Sequence, residues 1–279
     1  MMVKELHRPT SLDEALRLLS SEGARPLAGG TTLLLSLGAQ ALVDISRCGL
    51  DGIEVGDQAI QVGAMVTCAA VVRALRQHPS AFSDAASLVG SRVLRNHVTV
   101  GGNSVMVYAW SDLPVALLAM GASFELATLA GRRTLSADQF YAAHPTRVLA
   151  KGELLVSVSI PRPGAGEGSA FVKFARNVGD HASASVAASL AMDSSTVRSA
   201  RLVAGGVKGM PQLLGKAAAS LVGRPLDDAV LQEMAELART EVDAIADFRG
   251  GKDWRRHLVG VLAMDAVRLA ANRVRGEAS

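Results

Sequence analysis

Two glycine pairs constrain this chain more than any other feature. Ala28-Gly29-Gly30-Thr31-Thr32 follows a run of strand character at 25–28 and leads into an apolar stretch at 32–37 that reads as a helical turn. Thr99-Val100-Gly101-Gly102-Asn103 repeats the pattern within a stretch that otherwise looks poor in regular structure. Turns of this kind let backbone N–H groups converge, and glycine lets a bulky anion approach with no Cβ between. A helix starting there adds its positive end. Thr31 and Thr32 add hydroxyls. Acting together, the two turns suit the two halves of a pyrophosphate; each alone is equally compatible with an ordinary strand-to-helix turn. Neither has the G-x-G-x-x-G spacing, which disfavours the Rossmann dinucleotide fold.

The pattern around these turns is mixed. Over 11–23, Ser11 and Glu14 have capping-box spacing, Leu12, Ala15, Leu16 and Leu19 share a face, and Gly23 is placed to end the helix. A buried strand is predicted at 41–45, and IEVGDQAIQVGA reads as a hairpin. Helical spacing follows at 67–75 and 82–89, and Ser111-Asp112 with Pro114 marks a helix start. SFELAT and ELLVSVSIP read as strands. Pro161-Arg162-Pro163-Gly164-Ala165-Gly166 is the clearest linker. Beyond it, SAFVKFARN, SASVAASLAMD and VRSARLVAGGV read as strands, and helices are predicted at 212–222, 227–246 and 253–275. In the last helix Trp254, Leu258, Val261, Leu262 and Leu269 recur at helical spacing, leaving Arg255, Arg268 and Arg275 elsewhere. The 279 residues suffice for two domains. The expected division is 1–165, with subdomains of about 1–55 and 56–165, followed by 169–279.

Several functions are disfavoured. Apolar residues at 49% and charged residues at 20% suit a globular chain, and aromatics at 4% leave the core to Ala, Val and Leu. A net charge of +3 is too small for a nucleic-acid claim, and the basic run Arg249, Lys252, Arg255, Arg256 reads as a solvated helix face. The two cysteines, Cys48 and Cys68, and the dispersed histidines offer no zinc or iron–sulfur spacing. No signal-peptide pattern or bilayer-length apolar run is present, so a cytoplasmic chain without membrane insertion is expected. GxSxG, HExxH and P-loop motifs are absent, and no catalytic side chain or metal ligand is singled out.

PLAGGTTLL, LVDIS, IQVGAMVT, SRVLRNHVTVGGNSVMVYAWSDLPVALLAMGASFEL, ELLVSVSIP, FVKFARNVGDHASASVAASL and RGGKDWRRHLVGVLAMDAVRLA occur in that order over nearly the whole chain. In these blocks the sequence resembles the FAD-binding medium subunit of molybdenum hydroxylases, of the carbon monoxide dehydrogenase and xanthine dehydrogenase type. The resemblance implies an α+β protein. Its N-terminal α/β FAD-binding domain, in two subdomains and not Rossmann, precedes a C-terminal α+β domain with a three-stranded antiparallel sheet and helices. It implies that Leu27, Ala28, Gly29, Gly30, Thr31 and Thr32, with Thr99, Val100, Gly101, Gly102 and Asn103, hold the FAD pyrophosphate. It gives Asp112 a hydrogen bond to the ribityl region, Leu155 an apolar contact to the isoalloxazine, and Lys173 a place close to the flavin. Read without the resemblance, Asp112 is a helix N-cap, Leu155 is core, and Lys173 is a strand residue with its charge in water.

The same resemblance implies partners: a small subunit with [2Fe–2S] clusters and a large subunit with the molybdenum cofactor, in a heterotrimer or its dimer, with NAD or a quinone as acceptor. The sequence departs from the family at Thr32, where an acid or serine is common, and at Ala175-Arg176-Asn177, where many members have an Arg-Arg pair. It departs again at Tyr108-Ala109-Trp110, which replaces a proline. These changes bear on the acceptor and the flavin surroundings. A variant of the subunit with its own iron–sulfur cluster is disfavoured by the cysteine count. The alternatives are a free-standing FAD-dependent NAD(P)H oxidoreductase and a flavin-free assembly or scaffold protein.

Overall fold

A computed structural model describes residues 3–32 and 41–277. Its elements fall into three sheets. The first is parallel, ordered β1-β3-β2, from β1 (Glu5–His7), β2 (Ala24–Leu27) and β3 (Ala41–Asp44). Between β1 and β2 runs α1 (Leu12–Leu19), which buries Ala15, Leu16 and Leu19. Ser11 caps it by accepting the Glu14 N–H at 3.2 Å. The Glu14 carboxylate, however, accepts from Thr10 N–H at 3.0 Å, one residue upstream of the cap, so the reciprocal half of a capping box is displaced.

The second sheet is antiparallel and five-stranded. It comprises β4 (Ile53–Val55), β5 (Ala59–Gly63), β6 (Ser123–Thr128), β7 (Gly131–Ser136) and β8 (Leu154–Pro161), ordered β4-β5-β8-β6-β7. The expected hairpin is β4–β5, with Ile53 opposite Val62 and Val55 opposite Ile60. Between β5 and β6 lie α2 (Cys68–Ala74), α3 (Ala81–Leu88), α4 (Val100–Val105) and α5 (Leu113–Ala119). The short α6 (Ala137–Phe140) and α7 (Pro145–Val148) separate β7 from β8.

The third sheet takes β9 (Glu167–Phe174), β10 (Ala184–Asp193) and β11 (Thr196–Gly205) as the expected antiparallel trio, and adds a two-residue edge strand, β12 (Gln212–Leu213). The helical reading at Gln212 therefore fails. Its side chain donates to Glu241 O at 3.1 Å and accepts from Asp243 N at 2.9 Å, which holds the segment extended beside β11. The helices of this half are α8 (Gly215–Ala219), α9 (Asp228–Glu241) and α10 (Lys252–Val274).

Both faces of the third sheet are covered. Phe171, Ala187 and Val203 join the core that contains α3 and α5, while Ala170, Val186, Ala188 and Leu202 join the core of α9 and α10. Small residues let the layers close in: a Cβ on Gly168 would stand 2.4 Å from Ala270 O of α10. This explains how a chain poor in aromatics still packs tightly.

The face predicted for α10 holds at Leu258 and Leu262, which are buried, and at Leu269, which packs against the same core, but not at its other two residues. Trp254 and Val261 are exposed at 39% and 37%, whereas Arg255 is 1% exposed. Arg255 is drawn inward because its Nη2 donates to the Asp247 carboxylate. It is not part of a solvated basic face.

Candidate functional site

The first glycine pair leaves the end of β2. Gly29 lies so close to the second pair's segment that a Cβ would stand 1.7 Å from His97 O. Gly30 has φ +70°, a left-handed conformation that L side chains rarely adopt. None of the amides from Gly29 to Thr32 donates a hydrogen bond to another described residue. The helical turn expected over 32–37 lies, beyond Thr32, outside the described residues.

The second pair behaves differently. Thr99–Asn103 is not irregular: Thr99 caps α4 and accepts the Gly102 N–H at 3.1 Å. The other amides are also engaged, Val100 with Val66 O at 2.8 Å, Gly101 with Ala64 O at 2.8 Å and Asn103 with Thr99 O at 3.0 Å. A Cβ on Gly101 would stand 2.7 Å from Ala64 Cβ and 2.8 Å from its O. Gly101 is thus required for α4 to seat against the end of β5. The polar atom this segment leaves over is Asn103 Oδ1, which is buried and accepts from no described residue. Leu155 of β8 is 2% exposed, in the same apolar core as Val100.

Asp112 and Lys173 come together. Lys173 Nζ donates to Asp112 Oδ2 at 2.9 Å and to Leu88 O at 2.6 Å. Their side chains are 3% and 6% exposed, Lys173 first, so the solvated reading of the lysine is excluded. Asp112 stands at the start of α5 but makes no side-chain cap bond, which sets aside the N-cap reading. Burial pushes its pKa up to about 6, against the lowering influence of Lys173. Its second oxygen, Oδ1, is buried without a partner. Across the third sheet Ser185 sits opposite Lys173, and its hydroxyl is likewise unpaired. Two orphaned buried acceptors near one buried cation are costly unless something else bonds to them.

An aromatic pile borders this pair. Tyr108 and Trp110 stack at 5.3 Å with planes 8° apart, and the His181 ring lies 4.8 Å from Trp110. The Arg249 guanidinium covers Trp110 at 4.7 Å and Phe248 at 4.3 Å. Burial, reinforced by the Arg249 charge, lowers the His181 pKa and favours the neutral ring. Sequence reasoning did not reach His181 or Ser185, and it read Arg249 as part of a solvated helix face, whereas Arg249 precedes α10 and its side chain is 14% exposed. They lie on connections and a strand far along the chain, and no local pattern marks them.

A turn with unpaired amides, a buried acid with a free oxygen and a border of flat rings suit an anionic ligand that also carries a planar heterocycle. Residues 2–163 match the FAD binding domain in molybdopterin dehydrogenase, and residues 169–270 match the CO dehydrogenase flavoprotein C-terminal domain. The chain belongs to this flavoprotein family. It is an FAD-binding medium subunit of the molybdenum hydroxylase family and an oxidoreductase component. The carbon monoxide dehydrogenase medium chain of Afipia carboxidovorans is 31% identical over 97% of this chain and 98% of that one. A crystallised carbon monoxide dehydrogenase from Hydrogenophaga pseudoflava superposes with a TM-score of 0.91 at 29% identity, covering 98% of each chain. Quinoline 2-oxidoreductase from Pseudomonas putida 86 gives 0.90 at 29%, again covering 98% of each.

The residues present fit FAD. The amides of Gly29–Thr32 donate to no described residue, and Asn103 Oδ1 and Asp112 Oδ1 are buried acceptors without a partner, the chemistry a ligand with phosphate oxygens and hydroxyls would satisfy. Cys48 and Cys68 are separate buried thiols, and among the described residues no cluster of His, Cys, Asp or Glu could hold a metal. No helix among those residues is long and apolar enough to cross a membrane.

Proposed function

We propose that this chain is the electron-transfer flavin subunit of a molybdenum-containing hydroxylase, linking [2Fe–2S] clusters of a small partner chain to an external acceptor such as NAD or a quinone. The observation that carries the reading is the Gly29–Thr32 turn, fixed against His97 beside α4 with its amides unengaged by described residues. When bound, FAD accepts single electrons and releases them in pairs, which suits such a junction.

The chain's own residues bind and orient. The amides and hydroxyls of residues 29–32 take the pyrophosphate, where glycine leaves room for close approach. Asn103 Oδ1 and Asp112 Oδ1 accept hydrogen bonds from the cofactor, and Lys173 fixes the Asp112 carboxylate so that Oδ1 stays available. Tyr108, Trp110 and His181, packed on one another, would offer flat surfaces to the flavin. No side chain is needed as acid or base.

The test is the visible spectrum of the purified chain titrated with FAD. Wild type should bind one FAD saturably. Thr31→Glu, which sets a negative charge against the pyrophosphate, should weaken binding by about tenfold or more while thermal unfolding stays where it was. A wild-type chain that is folded yet takes up no flavin would remove this reading.

A further inference from the structure

Arg255, in the first turn of α10, is buried, and among the described residues its guanidinium has one partner, the Asp247 carboxylate; Nε and Nη1 have none. Burying a charge so incompletely paired is costly. What the pair secures is the connection between α9 and α10. Asp247 and Gly250 exchange backbone hydrogen bonds at 3.2 and 3.1 Å, and Asp247 Oδ1 also accepts the Arg249 N–H at 2.7 Å. Gly250 lies against the Trp254 ring, where a Cβ would stand 2.4 Å away. These four residues are thus tied at both ends.

The tie places Arg249. Its guanidinium lies 4.7 Å from the Trp110 ring centre and 4.3 Å from that of Phe248, and the side chain is largely buried although no helix or strand carries it. A planar guanidinium stacks on such rings as an ammonium does not. Asp247 neutralises Arg249 poorly: Oδ1 is engaged by Arg255, and Oδ2 stands 3.4 Å from Arg249 Nη1. Two cations face one anion, so a positive charge is left over beside Trp110.

That charge reaches the flavin site. His181, next in the pile, is held toward its neutral form by burial first, then by Arg249, with a further contribution from Lys173, which bonds Asp112. Asp180 opposes them, but it is open to water and its influence is screened. In its anionic reduced form the flavin ring has gained two electrons and one proton, and so carries a negative charge that a nearby cation stabilises. The [2Fe–2S] donor supplies the electrons and solvent the proton.

We propose that Arg249 is a positioning residue of the flavin site, fixing the Trp110–His181 pile and keeping beside the ring a positive charge that favours reduced flavin. This rests on the function proposed above. Arg255 acts through it, by occupying the Asp247 carboxylate.

The experiment uses the full chain with and without FAD. In the flavin-free chain the His181 ring is titrated by NMR, its signal assigned by its loss in His181→Gln. Arg249→Met should raise the His181 midpoint, and Arg249→Lys, which keeps the charge, should leave it near wild type. In the loaded chain the flavin potential is read by reductive titration against a dye of known potential. Arg249→Met should lower the reduction equilibrium about tenfold, about 30 mV for a two-electron couple, while Arg249→Lys keeps most of it. Arg255→Met, which frees Asp247 to neutralise Arg249, should move the potential the same way with Arg249 intact. Should that variant fail to fold, the two Arg249 variants decide. An unchanged potential in Arg249→Met would overturn the proposal. So would an equal fall in the Met and Lys variants, which is what loss of packing without charge produces. A wild-type chain that takes up no flavin removes the function proposed above. A His181 midpoint that Arg249→Met leaves unmoved in the flavin-free chain removes this inference instead.

Discussion

Asp112 is subject to two opposing influences. Burial disfavours its charge, Lys173 favours it, and the balance leaves its pKa at about 6, above the ordinary 3.8. A carboxyl whose pKa rises on folding binds more protons in the folded state between those two values. Its contribution to stability is therefore largest below the ordinary value and is lost as pH rises through about 6. Wild type should accordingly widen its margin over Asp112→Asn as pH is lowered from about 7 to about 4. Urea unfolding at the two ends of that range measures it. A margin that narrows toward acid would mean that the Lys173 pairing outweighs burial. Much of the candidate site is a matter of such single residues, and that limits what the sequence shows. The glycine pairs stand out as motifs. Asp112 and Lys173 are distant in sequence, and only the fold reveals them as a pair. Ser185 and His181 carry no local signal at all.

Elements were legible where local chemistry decides them. Ser11 before an apolar helical face, the β4–β5 alternation and the long strands β8 to β11 all match what their residues imply. They were illegible where a distant partner overrides the local pattern. Arg255 joins the buried face of α10 through its pairing with Asp247, and Gln212 is held extended by the end of α9. The segment Thr99–Asn103 looked like a turn because glycines are poor helix formers. It becomes α4 because Val100 and Gly101 donate to Val66 O and Ala64 O and so anchor the first turn. This changes what a substitution there tests. Gly101→Val would press a branched side chain into the Ala64 backbone, and an overpacked site of this kind costs about 2 kcal/mol. The variant should show a lowered unfolding midpoint in urea with or without flavin. Loss of flavin at unchanged stability would instead make Gly101 a ligand contact alone.

At the scale of the whole molecule, the order of mixed, antiparallel and helical segments was readable. The joining of the two halves was not, since a proline- and glycine-rich linker says nothing about what packs across it. The third sheet lends Phe171, Ala187 and Val203 to the core of α3 and α5. Across the same boundary Arg273, in the last turn of α10, grips the Asp84 carboxylate of α3 at 2.7 and 2.9 Å and also donates to Ser169 O at 2.7 Å. Asp84 in turn accepts the Phe171 N–H at 3.1 Å. Two halves with a common core and a half-buried bidentate pair between them should unfold as one unit. The two tryptophans report on it separately, Trp110 in the first half and Trp254 in the second. In Trp110→Phe and Trp254→Phe variants, the remaining indole should show the same urea midpoint. Arg273→Met strands the Asp84 carboxylate and should cost about 3 kcal/mol, lowering both midpoints together. If only the Trp254 transition moved, the halves would be separate folding units, and the shared core would be a docked surface between them.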